Sequence, residues 1–460
     1  MSFFHLRPPA GTVWPAVPVA EVSQIWAAYR ELDRTQWLGP AEIEESQLRQ
    51  LGALLTHCYD SVPYYRRLLD EAGLSARSSL SMADYRRLPL LTRELYQANF
   101  SDLQARGLPA NMIESGSAFT SGTNGVPIKV LKTNRESLWW SAFFLRDLEW
   151  SGLDPRMRLA SIRLMAMSHA ELPRLLAGVT FPYWTQFLHH LLETGSAYTM
   201  DIRQDPRRQL AWLLEINPDY LASLPSNLEF LAGLLVENGQ KLTALRTIQS
   251  VGESLAPATL ERIEKGFGVP VKNLYSTTET GYLASPCPLG NGLHVHAENV
   301  LAEVLDADNI PCLPGQTGRL VLTCLHNYLT PFLRYDILDD VTLAPGPCPC
   351  GRGLPLWTRV DGRRHPLLHL PGGGRKSVTG IVLGVRQVGG IHQFQFIQRQ
   401  VDHAILRIVP DRTWQPDLAD RMRQVIQAEL EAPVRVDIEL KENLERPPGG
   451  KLKLAIIELE

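Results

Sequence analysis

The chain is predicted to be an α/β protein with a helical lead-in, a large multi-sheet N-terminal domain over residues 1–361, and a small mobile C-terminal α+β domain over residues 362–460. Three observations carry this. VSQIWAAYRELD and SQLRQLGALLTHCYDSVPYYRRLLDEAG repeat apolar residues with the 3.6-residue period of helices. Helical segments then alternate with short apolar runs such as DYLASLP, LRTIQSVGE and VKNLYST, the pattern of an α/β sheet. After Gly362 come two strand-like runs, HQFQFIQ and HAILRIVP, an amphipathic helix, DLADRMRQVIQAELE, and a further strand, VRVDIEL. A length of 460 residues also exceeds what one hydrophobic core usually serves.

The helical lead-in runs directly into AFTSGTNGVPIKV, residues 118–130. Thr120, Ser121 and Thr123 offer hydroxyls, Gly122 and Gly125 let backbone N–H groups approach an anion, and Lys129 adds a point charge. The flanks SAFT and IKVLKT read as strands, so the segment is expected to be a phosphate-gripping hairpin rather than the strand-then-helix of G-x-x-x-x-G-K-[ST]. A nucleotide triphosphate is the expected ligand, and a Ser/Gly/Thr-rich hairpin without one is the plainer alternative. ESLWWSAFFLRDLEW follows as a buried helix, and the pattern turns β-rich across residues 318–325. The turn-heavy APGPCPCGRGLP precedes VDGRR, where the domain boundary is placed. Near the C-terminus, ERPPGGKLK forbids regular structure and presents Lys451 on a mobile tip able to visit another domain's site.

Hydrophobic residues make up 44% and charged residues 21% of the chain, and the formal net charge is -3. That balance argues against a nucleic-acid partner or an anionic membrane surface and favours small molecules. No run of about 18 apolar residues marks a membrane span. The opening MSFFHLRPPAGTVWP has no charged stretch leading into an apolar core, and a cytoplasmic location is expected. Six cysteines are too few for a disulfide framework in a chain this long. Cys58, in a helical pattern, and Cys324, in a strand-like run, read as small apolar residues.

TSGTNGVPIK, NLYSTTETG (residues 273–281), RYDILDD (334–340), VDGR (360–363) and PPGGKLK (447–453) occur in this order. With them the chain resembles the adenylate-forming superfamily, in its phenylacetate-CoA ligase-like branch. SVGESLAPATLERIEKGFGVPVKNLYSTTETG, GLHVHAENVLAEVLD and CPCGRGLP are similar to the sub-branch described as coenzyme F390 synthetase-like or capsule-biosynthesis-like. The resemblance implies a two-step reaction. A carboxylate attacks the α-phosphate of ATP, releasing pyrophosphate, and the acyl-adenylate passes its acyl group to a thiol such as coenzyme A. In-line attack on a polyanion needs cations and donors already in place.

It further implies that residues 120–129 hold the β- and γ-phosphates, with Asn124 standing where a second threonine is usual. Tyr275 matches the aromatic that stacks on adenine, Thr278 the hydroxyl near the α-phosphate, and Glu279 the carboxylate that holds Mg²⁺. Gly252 and Glu253 fall where the family approaches adenine. Asp339 and Arg363 match the ribose contacts, and Lys451 matches the lysine that reaches the α-phosphate and carboxylate during adenylation. One departure stands out. An acidic pair commonly follows the DGR of this family as the hinge of the small domain, and here the residues are Arg364, His365 and Pro366. Proline stiffens such a turn, which puts the second half-reaction in question before the first.

Cys348 and Cys350 form C-x-C, and Cys287 with His294 forms C-x₆-H, together a Cys₃His set suited to structural zinc, with His296 the rival imidazole. FPYWTQFLHH, residues 181–190, is either lining of an acyl pocket or core. His189 and His190, about 100° apart on a helix, do not share a metal easily. The sequence thus points to an ATP- and Mg²⁺-dependent acid:CoA ligase acting on an aromatic or otherwise compact carboxylate. The alternatives are an adenylating enzyme that hands its acyl group to an amine, a carrier protein or another nucleophile, and a non-catalytic nucleotide-binding homologue. Monomer and homodimer both fit the composition.

Overall fold

The computed structural model describes residues 4–12, 14–74, 80–120, 128–165, 171–363, 367–446 and 452–459. The helical lead-in comprises α1 (Ala20–Thr35), α2 (Pro40–Ser61), α3 (Pro63–Glu71), α4 (Met82–Tyr85) and α5 (Arg93–Ala98). Pro40 opens α2 and the Glu42 carboxylate accepts the Gly39 N–H at 2.8 Å, which satisfies a donor that a helix start leaves open. Leu51, Leu54, Leu55 and Cys58 form its buried face, so Cys58 packs as the small apolar residue the pattern predicts.

Strands β1 (Glu114–Phe119) and β2 (Lys129–Thr133) pair antiparallel, with Phe119 opposite Lys129, and form the expected hairpin. Helix α6 (Asn134–Ser151) starts on a capping box in which the Glu136 carboxylate accepts the Thr133 N–H at 2.8 Å. The alternating region follows: β3 (Leu159–Arg163), α7 (Leu172–Ala177), β4 (Val179–Phe181), α8 (Gln186–Leu191), β5 (Ala197–Asp201), α9 (Pro206–Ile216), β6 (Tyr220–Ser223), α10 (Pro225–Asn238), β7 (Thr247–Val251), α11 (Pro257–Phe267) and β8 (Val271–Thr277). Strands β5, β3, β6, β7 and β8 are parallel neighbours, so their C-terminal ends share one edge, the usual ligand side of such a sheet.

The chain then turns antiparallel through β9 (Gly281–Pro286), β10 (Leu293–Val295), β11 (Val300–Leu305), β12 (Thr317–Cys324), β13 (Tyr335–Leu343) and β14 (Leu356–Arg363). Strand β8 pairs parallel with β7 and antiparallel with β9. The parallel and antiparallel halves therefore run together as one sheet of twelve strands, beside the separate two-stranded β1–β2 sheet.

Beyond it lie β15 (Leu367–His369), β16 (Arg375–Ser377), α12 (Thr379–Val388), β17 (Ile391–Gln400), β18 (His403–Pro410), α13 (Asp417–Leu430), β19 (Arg435–Leu440) and β20 (Ala455–Ile457). β19, β18, β17 and β20 make a separate four-stranded sheet over a core of Val385, Phe394, Phe396, Leu406, Met422 and Ile426. Helix α12 and the short hairpin β15–β16 have no counterpart in the sequence reading. A Cβ on Gly384 would strike Val425, and one on Gly380 would strike Glu429, so the glycines that weaken the helical signal are what let α12 lie close on α13.

Candidate active site

The turn from β8 to β9 carries the chemistry-bearing segment. Thr277 Oγ1 accepts the Thr280 N–H at 3.2 Å, and Asn299 donates to the carbonyls of Thr280 and Tyr282, fixing the turn from behind. Lys132, on β2 of the hairpin, donates to the Thr278 carbonyl at 2.8 Å and ties hairpin to turn. Glu279 is 4% exposed and makes no ion pair among the described residues. A buried carboxylate in that position calls for a cation.

Tyr275, on β8, donates its hydroxyl to Asp339 on β13, and its ring meets Trp357 edge-on with centroids 6.0 Å apart. Leu338 adopts φ +66°, a left-handed conformation that costs a branched residue energy and sets the turn of chain just before Asp339. Asp339 faces Arg363 in the β13–β14 ladder; the side chain of Arg363 lies outside the described residues. Arg334, in the same motif, is a buried structural residue: its guanidinium pairs with Glu303 at 3.0 Å and donates to the Arg86 carbonyl at 2.7 Å.

At the hairpin neck Thr120 is buried, its hydroxyl accepting the Ile128 N–H at 3.1 Å and a guanidinium N–H of Arg93 at 3.2 Å. Lys129 is exposed at the start of β2, and its carbonyl accepts the Tyr96 hydroxyl at 2.8 Å. Ser121, Gly122, Thr123, Asn124 and Gly125 lie outside the described residues, as do Arg364, His365 and Pro366 and, with them, Lys451. Arg93, Lys132 and Asn299 escaped the sequence reading because each acts on a partner distant in sequence, which no local pattern locates.

Gly252 follows β7 at φ +81°, a conformation that glycine adopts without steric cost. Glu253 turns towards the small domain. Its carboxylate accepts the Ser226 N–H at 3.0 Å and the Leu452 N–H at 3.1 Å, and it stands 3.8 Å from the guanidinium of Arg446. Gln393 of β17 donates to the Ser226 carbonyl, and Arg412 donates to the carbonyl of Glu237 and the side chain of Asn238 at the far end of α10. The small domain thus lies along α10, beside the edge that carries Gly252.

Cys287, His294, Cys348 and Cys350 converge with all ligand atoms within 4.8 Å of one another. His294 Nε2 lies 3.1 Å from Cys350 Sγ, while its Nδ1 lies 3.2 Å from the Leu354 carbonyl. An Nδ1–H donated to that carbonyl leaves the Nε2 lone pair facing the sulfurs, the tautomer a metal needs. Burial holds the imidazole neutral, lowering its pKa to about 4. His296 is engaged elsewhere, with Ser285 at 3.0 Å and Arg146 at 3.3 Å, so geometry selects His294. Three sulfurs and one imidazole fit zinc by donor type and number.

Of FPYWTQFLHH, Trp184, Leu188 and Leu191 are core, while Phe187 meets Phe144 of α6 edge-on at 5.9 Å. His189 is half-buried and lies against Arg7. No helix among the described residues is long and apolar enough to cross a membrane.

The AMP-binding enzyme family model matches residues 116–324, from the hairpin through β12. The phenylacetate-coenzyme A ligase of Thermus thermophilus is 25% identical over 79% of this chain and 80% of its own length. That of Escherichia coli is 23% identical over 74% and 76%. A 2-hydroxyisobutyryl-CoA ligase in its postadenylation state superposes with a TM-score of 0.72 at 18% identity, over 92% of this chain and 91% of that one. The same ligase in its thioesterification state gives 0.60 at 19% identity, over 93% and 92%. Residues 116–324 of the chain are thus similar to AMP-binding enzymes, and the whole fold to that of an acid-CoA ligase. The CapK protein of Staphylococcus aureus is 23% identical over 57% of each chain, so the chain is similar both to phenylacetate-CoA ligases and to CapK.

Proposed function

We propose that this chain is an AMP-forming acid:CoA ligase. Its substrate carboxylate attacks the α-phosphate of ATP, a new C–O–P linkage forms as the bond to pyrophosphate breaks, and the acyl group then moves to the thiol of coenzyme A with AMP departing. The observation that carries this reading is the convergence of the Thr278–Glu279 turn with the Tyr275–Asp339 pair on one edge of the sheet, next to the β1–β2 hairpin.

In this reading Thr120, Ser121, Gly122, Thr123, Gly125 and Lys129 hold the β- and γ-phosphates, Thr278 meets the α-phosphate, and Tyr275, Gly252, Asp339 and Arg363 hold the nucleoside. Lys451 brings positive charge to the α-phosphate and the attacking carboxylate, where a transition state gains more from it than the ground state does. Glu279 would hold Mg²⁺, which neutralises phosphate charge when bound, and the lack of any other cationic partner at this buried carboxylate among the described residues suits that role. Cys287, His294, Cys348 and Cys350 would hold a structural Zn²⁺ that pins the turn after β13 to β9 and β10. We assign residues 1–361 and 362–460 to two units and the protein to the cytoplasm, where its thiols stay reduced.

The substrate is a compact carboxylic acid, and an aromatic body suits the exposed Trp140, whose indole packs against Tyr282 at 4.5 Å beside Gly281. A second reading keeps adenylation but delivers the acyl group to an amine or a carrier protein, and the basic, proline-containing Arg364-His365-Pro366 in the hinge position favours it. AMP release measured with and without coenzyme A separates the two. Stimulation by coenzyme A, with an acyl-CoA product, supports the ligase; AMP formation indifferent to coenzyme A and stimulated by an amine or a carrier protein supports the second reading.

A further inference from the structure

Glu253 makes more of its carboxylate than a nucleotide contact requires. One oxygen accepts the Leu452 N–H at 3.1 Å and stands 3.8 Å from Arg446, and the other accepts the Ser226 N–H at 3.0 Å. Arg446 also donates to Ser226 Oγ at 3.1 Å, and Gln393 of β17 donates to the Ser226 carbonyl at 3.0 Å. These groups are well shielded: the side chains of Glu253 and Arg446 are 13% and 10% exposed. A carboxylate and a guanidinium withdrawn from water to this extent need each other, and removing either leaves an uncompensated charge.

Residues 446 and 452 are the two stems of the segment 447–451, which ends in Lys451. A single carboxylate of the large domain therefore grips the chain immediately before and immediately after that segment. We propose that Glu253 is a positioning residue for the first half-reaction, a clamp that sets both stems of segment 447–451 against the nucleotide edge of the sheet while the small domain lies along α10. The proposal rests on the ligase reading. It adds that the clamp belongs to one arrangement of the domains only. All its partners but Ser226 come from the small domain, so a rotation of that domain for thiol transfer breaks every one of those contacts.

The test separates the half-reactions. Carboxylate-dependent exchange of labelled pyrophosphate into ATP reads adenylation, and thioester formation from chemically prepared acyl-adenylate and coenzyme A reads the second step alone. Glu253→Gln replaces one acceptor oxygen by a donor that faces N–H groups or a guanidinium, and Arg446→Met removes the cation from the opposite side. Both variants are expected to lose exchange by about thirtyfold, ~2 kcal/mol, while thioester formation changes by less than about twofold. Equal loss in both assays would mark a structural role and overturn the clamp, as would unchanged exchange. If the wild type exchanges with no acid, the ligase reading fails, and the clamp is then decided by amide hydrogen exchange over residues 441–456. Faster exchange there in Glu253→Gln supports it, and identical exchange overturns it.

Discussion

Tyr275 donates its hydroxyl to Asp339, joining β8 to β13 across 64 residues of sequence. The bond brings together a ring and a carboxylate, the two groups proposed to meet the base and the ribose of an adenosine, although β14, β10 and β9 stand between their strands in the sheet order. It also ties the parallel half, which ends at β8, to the antiparallel half, which contains β13.

Asp339→Asn is accordingly expected to raise the ATP dissociation constant about tenfold, since a ribose hydroxyl loses a charged acceptor worth ~1.4 kcal/mol. Tyr275→Phe keeps the ring and loses the tether, with a smaller effect in the same direction. Titration calorimetry with ATP reads both, and wild-type affinity in Asp339→Asn would remove Asp339 from the ribose site.

Lys451→Ala is expected to lower pyrophosphate exchange by about a hundredfold or more while ATP binding stays within about threefold, because the lysine acts where charge develops in the transition state. Unchanged turnover would refute its assignment.

Much of this architecture is legible in the sequence. The β1–β2 hairpin, α6, β6 to β8, and the β17, β18, α13, β19 succession all follow from apolar periodicity and turn residues. What was hidden depends on packing between distant segments. Helix α12 contains Gly380 and Gly384, which weaken local propensity and make sense only against α13. In the site, residues inside patterned motifs stood out, whereas Arg93, Asn299 and Arg446 did not. Arg446 and Asn299 lie inside quoted segments, but no motif gives either a role, and the partner lies 27 residues away for Arg93 and Thr120, 19 for Asn299 and Thr280, and 220 for Arg446 and Ser226. Choosing His294 over His296 likewise needed the Leu354 carbonyl, which no spacing rule locates.

Zinc analysis of the purified protein is expected to give about one ion per chain, the stoichiometry of one tetrahedral site. Cys348→Ser should lose the metal and lower the thermal midpoint. Far less than one ion per chain, with an unchanged midpoint in the variant, would leave the four residues as a reduced-thiol cluster.

Asp147, fully buried on α6 and bonded to Gln249 at 2.6 Å, gives a pH prediction. Burial raises its pKa from 3.8 to about 7, with hydrogen bonds from Ser285 and Gln249 opposing the rise. The folded chain keeps this proton to a higher pH than the unfolded chain does, so stability falls as pH climbs from the unfolded pKa towards about 7. Asp147→Asn cannot ionise. Its thermal midpoint relative to wild type should therefore rise between about pH 4 and about pH 7 and level off above, and a pH-independent difference would contradict the buried, proton-holding carboxylate.

The central claim is adenylation of a carboxylate, and exchange of labelled pyrophosphate into ATP across a panel of aromatic, aliphatic and amino acids tests it most directly. The account predicts exchange that depends on added carboxylate and on Mg²⁺, strongest with compact aromatic acids and lost in Lys451→Ala. Silence across the whole panel, from protein that still binds ATP, would contradict it and leave a nucleotide-binding protein without the reaction.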